Sequence, residues 1–346
     1  MGAIVLCYHS INYGQRIDPD TFEQNLFTLK KYGYVSVRLS DIYEFVKGNL
    51  KLPKKAVAIT FDDGYADNLV YAYPILKKYE FFATIFVIVN KLAKNIKRMD
   101  IEELKKLNMA NSVNEFLEKS RYLSFEELRF LQDSKLIDIQ SHSLNHKACF
   151  CSNKVFKFND SRLGEWFFEY THDKRLGIPV YEKKWDCACE CIIDDLKLRD
   201  YMHDFVAKHN GILFFKKKNA QKILYRQYKK YLKKNTLNMQ IEPRYERIKR
   251  LEIEVFESKR ILEEQLNKSV DFFCYPFGSY DEVSKEYVKR AYKAAFTLKI
   301  GQNMPDDDLF ELKRIEVRGG DWLDKRLKIY KSPFLSRVYA KIYRKI

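Results

Sequence analysis

Carboxylate and imidazole side chains occur in two short motifs whose spacing could support metal chemistry. Asp62 and Asp63 directly follow the apolar run 56–61, and His142 and His146 stand four residues apart after the run 136–140. One carboxylate and two imidazoles can hold a divalent ion and leave one position open for water. The second carboxylate can then take a proton from that water. Together the two motifs predict a metal-dependent hydrolase.

Each motif also has an ordinary structural interpretation. An Asp-Gly pair such as Asp63-Gly64 is a common turn former. Histidines such as His142 and His146 are often surface or capping residues. Both motifs, however, follow β-rich runs, and functional side chains of parallel α/β folds gather where strands end. Their joint occurrence therefore favours a metal site over two unrelated turns.

Apolar runs rich in β-branched and aromatic residues alternate with helical patterns along the chain. The predicted strands are residues 4–8, 34–39, 56–61, 83–89, 136–140, 270–275, 294–298 and 312–317. Helical patterns with one apolar face occupy most of the intervals, for example residues 20–31, 125–131 and 245–266. This alternation predicts an α/β fold. About seven to eight parallel strands favour a closed or nearly closed (β/α) barrel.

The spacing of the predicted strands leaves one long interval after His146. More than a hundred residues separate it from the strand at 270–275, which is too many for one loop and one helix. We therefore predict a barrel built from residues 1–146 and 244–320, with an insertion or lid subdomain at 147–243. Residues 321–346 form a basic amphipathic tail with eight basic and two acidic side chains.

The insertion contains five of the seven cysteines of the chain: Cys149, Cys151, Cys187, Cys189 and Cys191. Thiolates could hold a structural zinc ion, but the Cys-x-Cys spacing differs from the usual zinc knuckle, in which two residues separate the cysteines. Reduced thiols that bind no metal are therefore the preferred interpretation of the sequence.

Several segments together resemble the polysaccharide deacetylases, carbohydrate esterase family 4. The segments are residues 60–65, 142–146 and 275–278, with a weaker likeness at residues 8–10 and 313–315. The resemblance covers most of residues 1–146 and 245–320. It implies a distorted (β/α) barrel that uses one divalent metal ion to remove N-acetyl groups from amino sugars.

By this resemblance, Asp62 is expected to act as the general base, and Asp63, His142 and His146 are expected to bind the metal. Zinc is the expected ion, with cobalt, nickel and manganese as alternatives. In the family, a backbone N–H of the third motif stabilises the developing oxyanion, a role that does not depend on the side chain. The residues expected to contact substrate are Tyr65, Tyr275, Pro276, Phe277 and Gly278.

Two positions depart from the family pattern. Cys274 stands where many members have an arginine that orients the base, and Arg314, near a later predicted strand, is a candidate to replace it. The late histidine that commonly acts as general acid is also missing, since no histidine follows His209. His9, after the first predicted strand, is one candidate for the general acid. His172 in the insertion is another.

The charge of the chain favours an acidic partner. Its 63 lysines and arginines outnumber 47 aspartates and glutamates, and the formal net charge is +16, which indicates attraction to anionic lipid, nucleic acid or an anionic sugar. No recognised nucleic-acid module accompanies the charge, so we expect no specific nucleic acid. The tail could lie on an anionic membrane or pack against the barrel.

The N-terminal segment predicts a first strand and lacks the basic start of a signal peptide, and the cysteine count is odd. These features predict a cytoplasmic protein, peripheral at the inner membrane face in one version of the hypothesis.

The sequence therefore predicts a metal-dependent carbohydrate deacetylase. Its expected partner is an acylated amino-sugar glycan of a bacterial surface polysaccharide, or the lipid-linked or nucleotide-linked precursor of that polysaccharide. An O-acetyl esterase or a deformylase acting on a related glycan would use the same residues. A catalytically inactive, glycan-binding barrel is the alternative suggested by the missing arginine and histidine.

Overall fold

A computed structural model describes residues 2–109, 113–118, 120–162, 173–330 and 338 of the chain. The chain divides into two compact units. The first comprises Met1–Asn145, Ile253–Gly278 and Lys285–Ile346, and the second comprises His146–Glu252 and Ser279–Ser284. By this division residues 244–252, which the sequence assigned to the barrel, lie in the second unit.

The helices and strands alternate through the first unit. The strands of the described residues are β1 (Ile4–Tyr8), β2 (Val35–Ser36), β3 (Ala56–Phe61), β4 (Ala83–Val87), β5 (Ile137–Ser141), β6 (Ala148–Phe158), β7 (Pro179–Trp185), β8 (Ile192–Ile193), β9 (Gln240–Ile241), β10 (Phe272–Cys274), β11 (Ala294–Phe296) and β12 (Ile315–Glu316). The α-helices are Pro19–Lys31, Leu39–Val46, Tyr73–Tyr79, Ile101–Lys106, Val113–Glu118, Phe125–Asp133, Leu196–Ala207, Ala220–Leu232, Arg244–Glu252, Ser258–Leu266, Glu282–Ala291 and Trp322–Tyr330.

The strands of the first unit form one parallel sheet. Its order is β11-β10-β5-β4-β3-β1-β12, and β2 pairs with the start of β3. Every pairing in this sheet is parallel, for example Leu6 beside Ile59 and Ile85 beside Ile139. The fold is therefore the predicted α/β fold, a distorted (β/α) barrel.

One segment of chain, residues 309–316, bonds to both edges of the sheet. On one side the Leu312 N–H donates to the Ala295 carbonyl at 3.0 Å, and the Thr297 N–H donates to the Leu312 carbonyl at 2.8 Å. On the other side Ile315 pairs with Leu6. Arg314 lies between these two attachments, and its position is therefore fixed by both edges of the barrel.

The apolar runs become strands because both of their faces are covered. Every residue of β1 and β3 is buried, as expected for parallel strands with helices outside and side chains within. The helix Phe125–Asp133 begins at the predicted capping box. Ser124 accepts the N–H of Glu127, and the Glu127 carboxylate accepts the N–H of Ser124.

Two predicted elements differ in the structure. The predicted strand 34–39 is reduced to β2, because Leu39 already begins the next helix. The predicted helix 245–266 is two α-helices, Arg244–Glu252 and Ser258–Leu266, joined by the π-helical turn Ile253–Glu257. Apolar periodicity gives no warning of a π-turn, which inserts one residue without breaking the run of helical residues.

The second unit is an antiparallel hairpin with helices. β6 and β7 pair from Ala148–Trp185 to Phe158–Pro179, and β8 pairs with β9. The helices Leu196–Ala207 and Ala220–Leu232 share an apolar core with Phe158 and Phe214. This unit therefore has a core of its own.

The cysteines of the second unit differ from the sequence-based expectation at two positions. Cys149 and Cys191 form a disulfide, so the prediction of reduced thiols is wrong for this pair. The two residues are separated by 42 positions in the chain, and only the fold brings them together.

No helix in the part of the chain that the structure describes has the length and apolar character needed to span a membrane. Of the predicted basic tail, the helix Trp322–Tyr330 is described. Residues 331–337 and 339–346 lie outside the described residues, so membrane contact through the tail stays a prediction.

Candidate active site

Two adjacent carboxylates occupy the carboxyl end of β3. The Asp62 N–H donates to the Tyr8 carbonyl of the neighbouring strand at 2.9 Å, which extends the strand pairing by one residue. Asp63 has a positive φ of 72°, a left-handed conformation that aspartate tolerates better than most residues. This reversal ends the strand, and the two carboxylates therefore have different environments. Asp62 is buried, and Asp63 is partly exposed.

The Asp62 carboxylate is held by a buried arginine. Arg314 Nη1 donates to Asp62 Oδ1 at 2.6 Å, and Nη2 donates to Oδ2 at 2.7 Å. The same guanidinium donates to Thr60 Oγ1 at 3.2 Å and to Cys274 Sγ at 2.8 Å. This is a bidentate pair, the geometry that orients a carboxylate most tightly. The cysteine that replaces the expected arginine thus contacts an arginine from elsewhere in the chain.

The charge state of Asp62 follows from this pairing. Burial raises its pKa, but the positive charge of Arg314, the nearby His142 and the hydrogen bonds from Arg314 outweigh burial and hold the pKa of Asp62 well below its usual range. The carboxylate is therefore ionised at neutral pH. The placement of Arg314 fits the predicted orienting role, which stays a prediction.

His142 follows β5 and faces the two carboxylates. Its Nδ1 lies 2.8 Å from the Cys274 carbonyl. A carbonyl only accepts, so Nδ1 must carry the hydrogen, and the lone pair is then on Nε2. Nε2 lies 3.6 Å from Asp63 Oδ1 and 4.0 Å from Asp62 Oδ2. Burial lowers the pKa of His142 although both aspartates oppose the shift, so a neutral imidazole is favoured.

The predicted ligands come together. Asp63, His142 and His146 each offer a ligand atom, and these atoms lie within 4.8 Å of one another. His146 is the fourth residue after His142 and has a positive φ of 55°. The Nε2 lone pair of His142 and the Asp63 oxygen are both acceptors, and a cation between them would satisfy both. The residues therefore fit a divalent metal ion, for which two nitrogens and one oxygen are suitable ligands.

His9 lies beside the same carboxylate. A ring nitrogen of His9, the Cys7 thiol and an Asp62 oxygen are within 4.8 Å of one another. The segment is anchored from the next turn of the chain, because Asn68 Nδ2 donates to the His9 carbonyl at 2.9 Å and the Ile11 N–H donates to Asp67 at 3.1 Å. Its role as general acid stays a prediction. The other candidate, His172, lies outside the described residues.

Tyr65 lies over the ligand Asp63. Its hydroxyl bonds to the Asp63 carboxylate, and burial together with that carboxylate raises the pKa of Tyr65. The ring stacks on Tyr122 with centroids 5.4 Å apart, and the Arg121 guanidinium lies over it. These contacts fix the ring beside the metal ligands, where the predicted substrate contact could be made.

The third motif forms a tight turn after β10. Tyr275 and Pro276 are buried, whereas Phe277 is 40% exposed and has a positive φ of 57°. The Gly278 N–H closes the turn on the Tyr275 carbonyl at 2.8 Å. An exposed aromatic residue in a left-handed conformation is unusual and is often found at a functional turn. The contacts of these residues with substrate stay predictions.

Some residues of the site were not found from the sequence. Cys7 and Thr60 contact the Asp62–Arg314 pair. Glu254, on the π-helical turn, accepts two hydrogen bonds from Asn145 within the loop between the two histidines. The position of Thr60 within the first motif was a usable signal. Nothing in the local sequence marks Glu254, because its role depends on a distant loop.

Similarity to known proteins agrees with this geometry. Residues 49–163 match the polysaccharide deacetylase family. The match includes Asp62, Asp63, His142 and His146, and it confirms the resemblance predicted from the motifs.

The curated relatives share only part of their length with this chain. The Bacillus subtilis (strain 168) protein YxkH, named as a polysaccharide deacetylase, is 42% identical over 86 residues, which is 24% of this chain and 31% of YxkH. The poly-β-1,6-N-acetyl-D-glucosamine N-deacetylase of Escherichia coli (strain K12) is 27% identical over 117 residues, which is 34% of this chain and 16% of that protein. The matched region thus spans less than a third of either relative.

Solved structures are similar over nearly the whole chain. IcaB from Ammonifex degensii has a TM-score of 0.56 at 19% identity and covers 93% of this chain and 94% of that one. A de-N-acetylase from Aggregatibacter actinomycetemcomitans has a TM-score of 0.58 at 17% identity, with coverages of 94% and 99%. At these identities the likeness establishes the fold.

Proposed function

We propose that the chain is a metal-dependent carbohydrate deacetylase that removes N-acetyl groups from amino sugars. The observation that carries the proposal is the convergence of Asp63, His142 and His146 on one point beside the ionised Asp62. Three ligands that leave positions open, with a separate carboxylate next to them, are what hydrolysis of an amide requires. The names of the relatives support the choice of an acetylated glycan as substrate.

The protein's own residues have distinct roles in this proposal. Asp62 accepts the proton of the attacking water, and Arg314 holds the carboxylate in one orientation through two hydrogen bonds. The backbone at Phe277 donates to the oxygen that gains negative charge. His9 delivers a proton to the departing amine. A divalent ion held by Asp63, His142 and His146 would supply Lewis-acid activation of water and of the acetamide carbonyl. Zinc is the ion proposed for this position.

The substrate proposed is a surface polysaccharide or its lipid-linked or nucleotide-linked precursor. The formal net charge of +16 supports an anionic, phosphate-bearing precursor over a neutral oligosaccharide. The E. coli relative carries the name of a poly-β-1,6-N-acetyl-D-glucosamine deacetylase, so β-1,6-linked N-acetylglucosamine is the first neutral glycan to test. A cytoplasmic enzyme at the inner membrane face is part of this proposal.

Acetate release provides the test of the proposed function. The full chain, supplied with zinc, is incubated with β-1,6-linked N-acetylglucosamine oligomers, an O-acetylated sugar and an N-formyl amino sugar. The proposal expects acetate from the first substrate. It also expects Asp62→Asn to lower turnover by at least about 100-fold, because the base is lost while the ligands remain.

Asp20→Asn, which changes a carboxylate exposed on the helix Pro19–Lys31, is the matched control and should retain full activity. Preference for the O-acetyl or the N-formyl substrate would replace the proposal by the corresponding esterase or deformylase. A folded, zinc-supplied chain with no activity on any of the three would favour the glycan-binding barrel.

A further inference from the structure

A cluster of four cysteines lies in the second unit, well separated in sequence from the catalytic motifs. Cys149 and Cys151 come from β6, and Cys189 and Cys191 come from the segment between Asp186–Ala188 and β8. Cys149 and Cys191 form a disulfide with their Cα atoms 5.5 Å apart. A disulfide uses two of the four sulfurs and leaves the other two without an explanation.

The remaining two sulfurs belong to the same cluster. Cys149 Sγ lies 3.6 Å from Cys189 Sγ, and the Cys151 thiol bonds to Cys189. Four thiolates at about 2.3 Å from a zinc ion are separated from one another by about 3.8 Å. The distance between Cys149 and Cys189 is therefore close to one edge of such a tetrahedron.

The Cys-x-Cys spacing, which differs from a zinc knuckle, is explained by the backbone. Residues two apart on a strand point to the same face, so β6 directs Cys149 and Cys151 to one side. Cys189 is also extended, with φ −160° and ψ 167°. Cys191 is fixed by reciprocal hydrogen bonds with Glu242, N–H to carboxylate at 2.9 Å and N–H to carbonyl at 3.0 Å. Two extended pairs that face each other can supply four ligands.

Positive charge surrounds the cluster. Arg250 Nη2 donates to Cys191 Sγ at 3.3 Å, and Arg247 and Lys184 lie close enough to Cys189 to favour its thiolate electrostatically. The carboxylates of Asp186 and Glu242 are nearby, and both pair with Arg250. A zinc ion with four thiolates carries a net charge of −2, and neighbouring cations that donate hydrogen bonds to sulfur stabilise such a centre.

We propose that Cys149, Cys151, Cys189 and Cys191 bind one structural zinc ion when the chain is reduced. A dithiol reductant supplies two electrons and two protons to the Cys149–Cys191 disulfide and gives two thiols. Zinc then replaces the four thiol protons, which pass to solvent. The ion would tie the β6–β7 hairpin to the segment that precedes β8 and so hold the second unit together. It takes no part in the deacetylation proposed for the barrel.

The test uses the full chain carrying His142→Ala and His146→Ala, so that the barrel ligands contribute no ion. The protein is produced with zinc, purified with a dithiol reductant and analysed for zinc. We expect one ion per chain in this background, and we expect Cys151→Ser and Cys189→Ser each to abolish binding. These two cysteines are the ones that the disulfide does not use. Cys187→Ser, which changes a buried cysteine of the same unit, is the matched control and should keep the ion.

A second measurement does not depend on variants that fold. When cobalt replaces zinc in the background protein, thiolate-to-cobalt charge-transfer absorption should appear, and zinc should remove it. Alkylation of the native protein should then label the four cysteines of the cluster only after a chelator is added. Absence of zinc and of the charge-transfer band from folded, fully reduced protein would overturn the proposal. So would retention of zinc by the Cys189→Ser variant.

Discussion

The buried pair of Asp62 and Arg314 joins the chemistry of the site to the stability of the barrel. Arg314 is completely buried and Asp62 almost completely so, and together they make two hydrogen bonds of 2.6 and 2.7 Å. Removing one member of such a pair leaves the other charge buried, which usually costs more than the pair itself contributes. The same contact that orients the proposed base is therefore expected to make the barrel sensitive to mutation.

We predict that Arg314→Gln lowers the free energy of unfolding by about 3–5 kcal/mol at neutral pH. The folded state lowers the pKa of Asp62, so the stability from its pairing is present above about pH 4 and is lost as pH falls from there toward the folded pKa. In the variant, burial without the guanidinium raises that pKa, and protonation relieves the variant as pH falls. The difference in stability should therefore be largest near neutral pH and shrink in acid.

Denaturant unfolding of the chelator-treated protein across this pH range is the measurement. Arg16→Gln is the control, because Arg16 pairs with Glu316 at the surface and its loss should cost less than about 1 kcal/mol. A difference in stability that does not change with pH would contradict the assignment of the effect to Asp62.

The turn of the third motif gives a second prediction at this scale. Gly278 has a φ of 63°, and an added Cβ would lie 2.9 Å from both Cβ and N of Leu298. Gly278→Ala should therefore cost about 1–2 kcal/mol for the backbone and more for the contact, and it should lower acetate release by displacing Phe277. Gly33→Ala has a similar φ of 72° with no atom near its Cβ and should show the backbone cost alone. Equal losses in thermal unfolding would contradict the role of close packing.

Among the elements, the π-helical turn Ile253–Glu257 has the clearest effect on the site. Its Glu254 is buried and accepts from the Asn145 N–H at 2.8 Å and from Asn145 Nδ2 at 2.5 Å. These bonds fix the loop between His142 and His146. Partners that orient metal ligands commonly change metal affinity when they are mutated.

We predict that Glu254→Gln weakens metal binding by about tenfold, because a glutamine offers one acceptor where Asn145 presents two donors. The measurement is competition with a chelator of known affinity, at a pH where both proteins are folded. Glu257→Gln, an exposed member of the same turn that pairs with Arg260, is the control and should leave affinity unchanged. Equal affinities of the wild type and Glu254→Gln would show that the loop does not need this support.

The sequence was sufficient for elements whose pattern is local. β1 and β3 have the predicted bounds, and Ser124 caps its helix as expected, because continuous apolar runs and capping boxes act within a few residues. The π-turn and the shortening of β2 depend on packing from other parts of the chain. The contact between Arg314 and Asp62 spans 252 residues; a missing arginine could suggest it, but spacing alone could not establish it. The same limit applies to the cysteine cluster, since spacing does not show that two extended pairs face each other.

For the molecule as a whole, the charge of +16 should affect substrate capture. If the substrate carries a pyrophosphate-linked carrier, long-range attraction should raise the association rate, and salt should suppress it. We predict that kcat/KM for such a precursor falls about tenfold when the ionic strength rises from about 0.01 to about 0.15 M. A neutral N-acetylglucosamine oligomer, assayed in parallel, should be nearly insensitive. Equal salt dependence for both substrates would contradict a preference for an anionic precursor.

The measurement that tests the central claim most directly is metal content together with acetate release in three variants. Asp63→Asn and His142→Ala should each lose one ion per chain relative to the wild type, and both should lose activity. Asp62→Asn should keep its full metal content and still release no acetate, because it lacks the base but not the ligands. Loss of metal in Asp62→Asn, or retention of metal by both ligand variants, would contradict the division of roles between the two adjacent carboxylates.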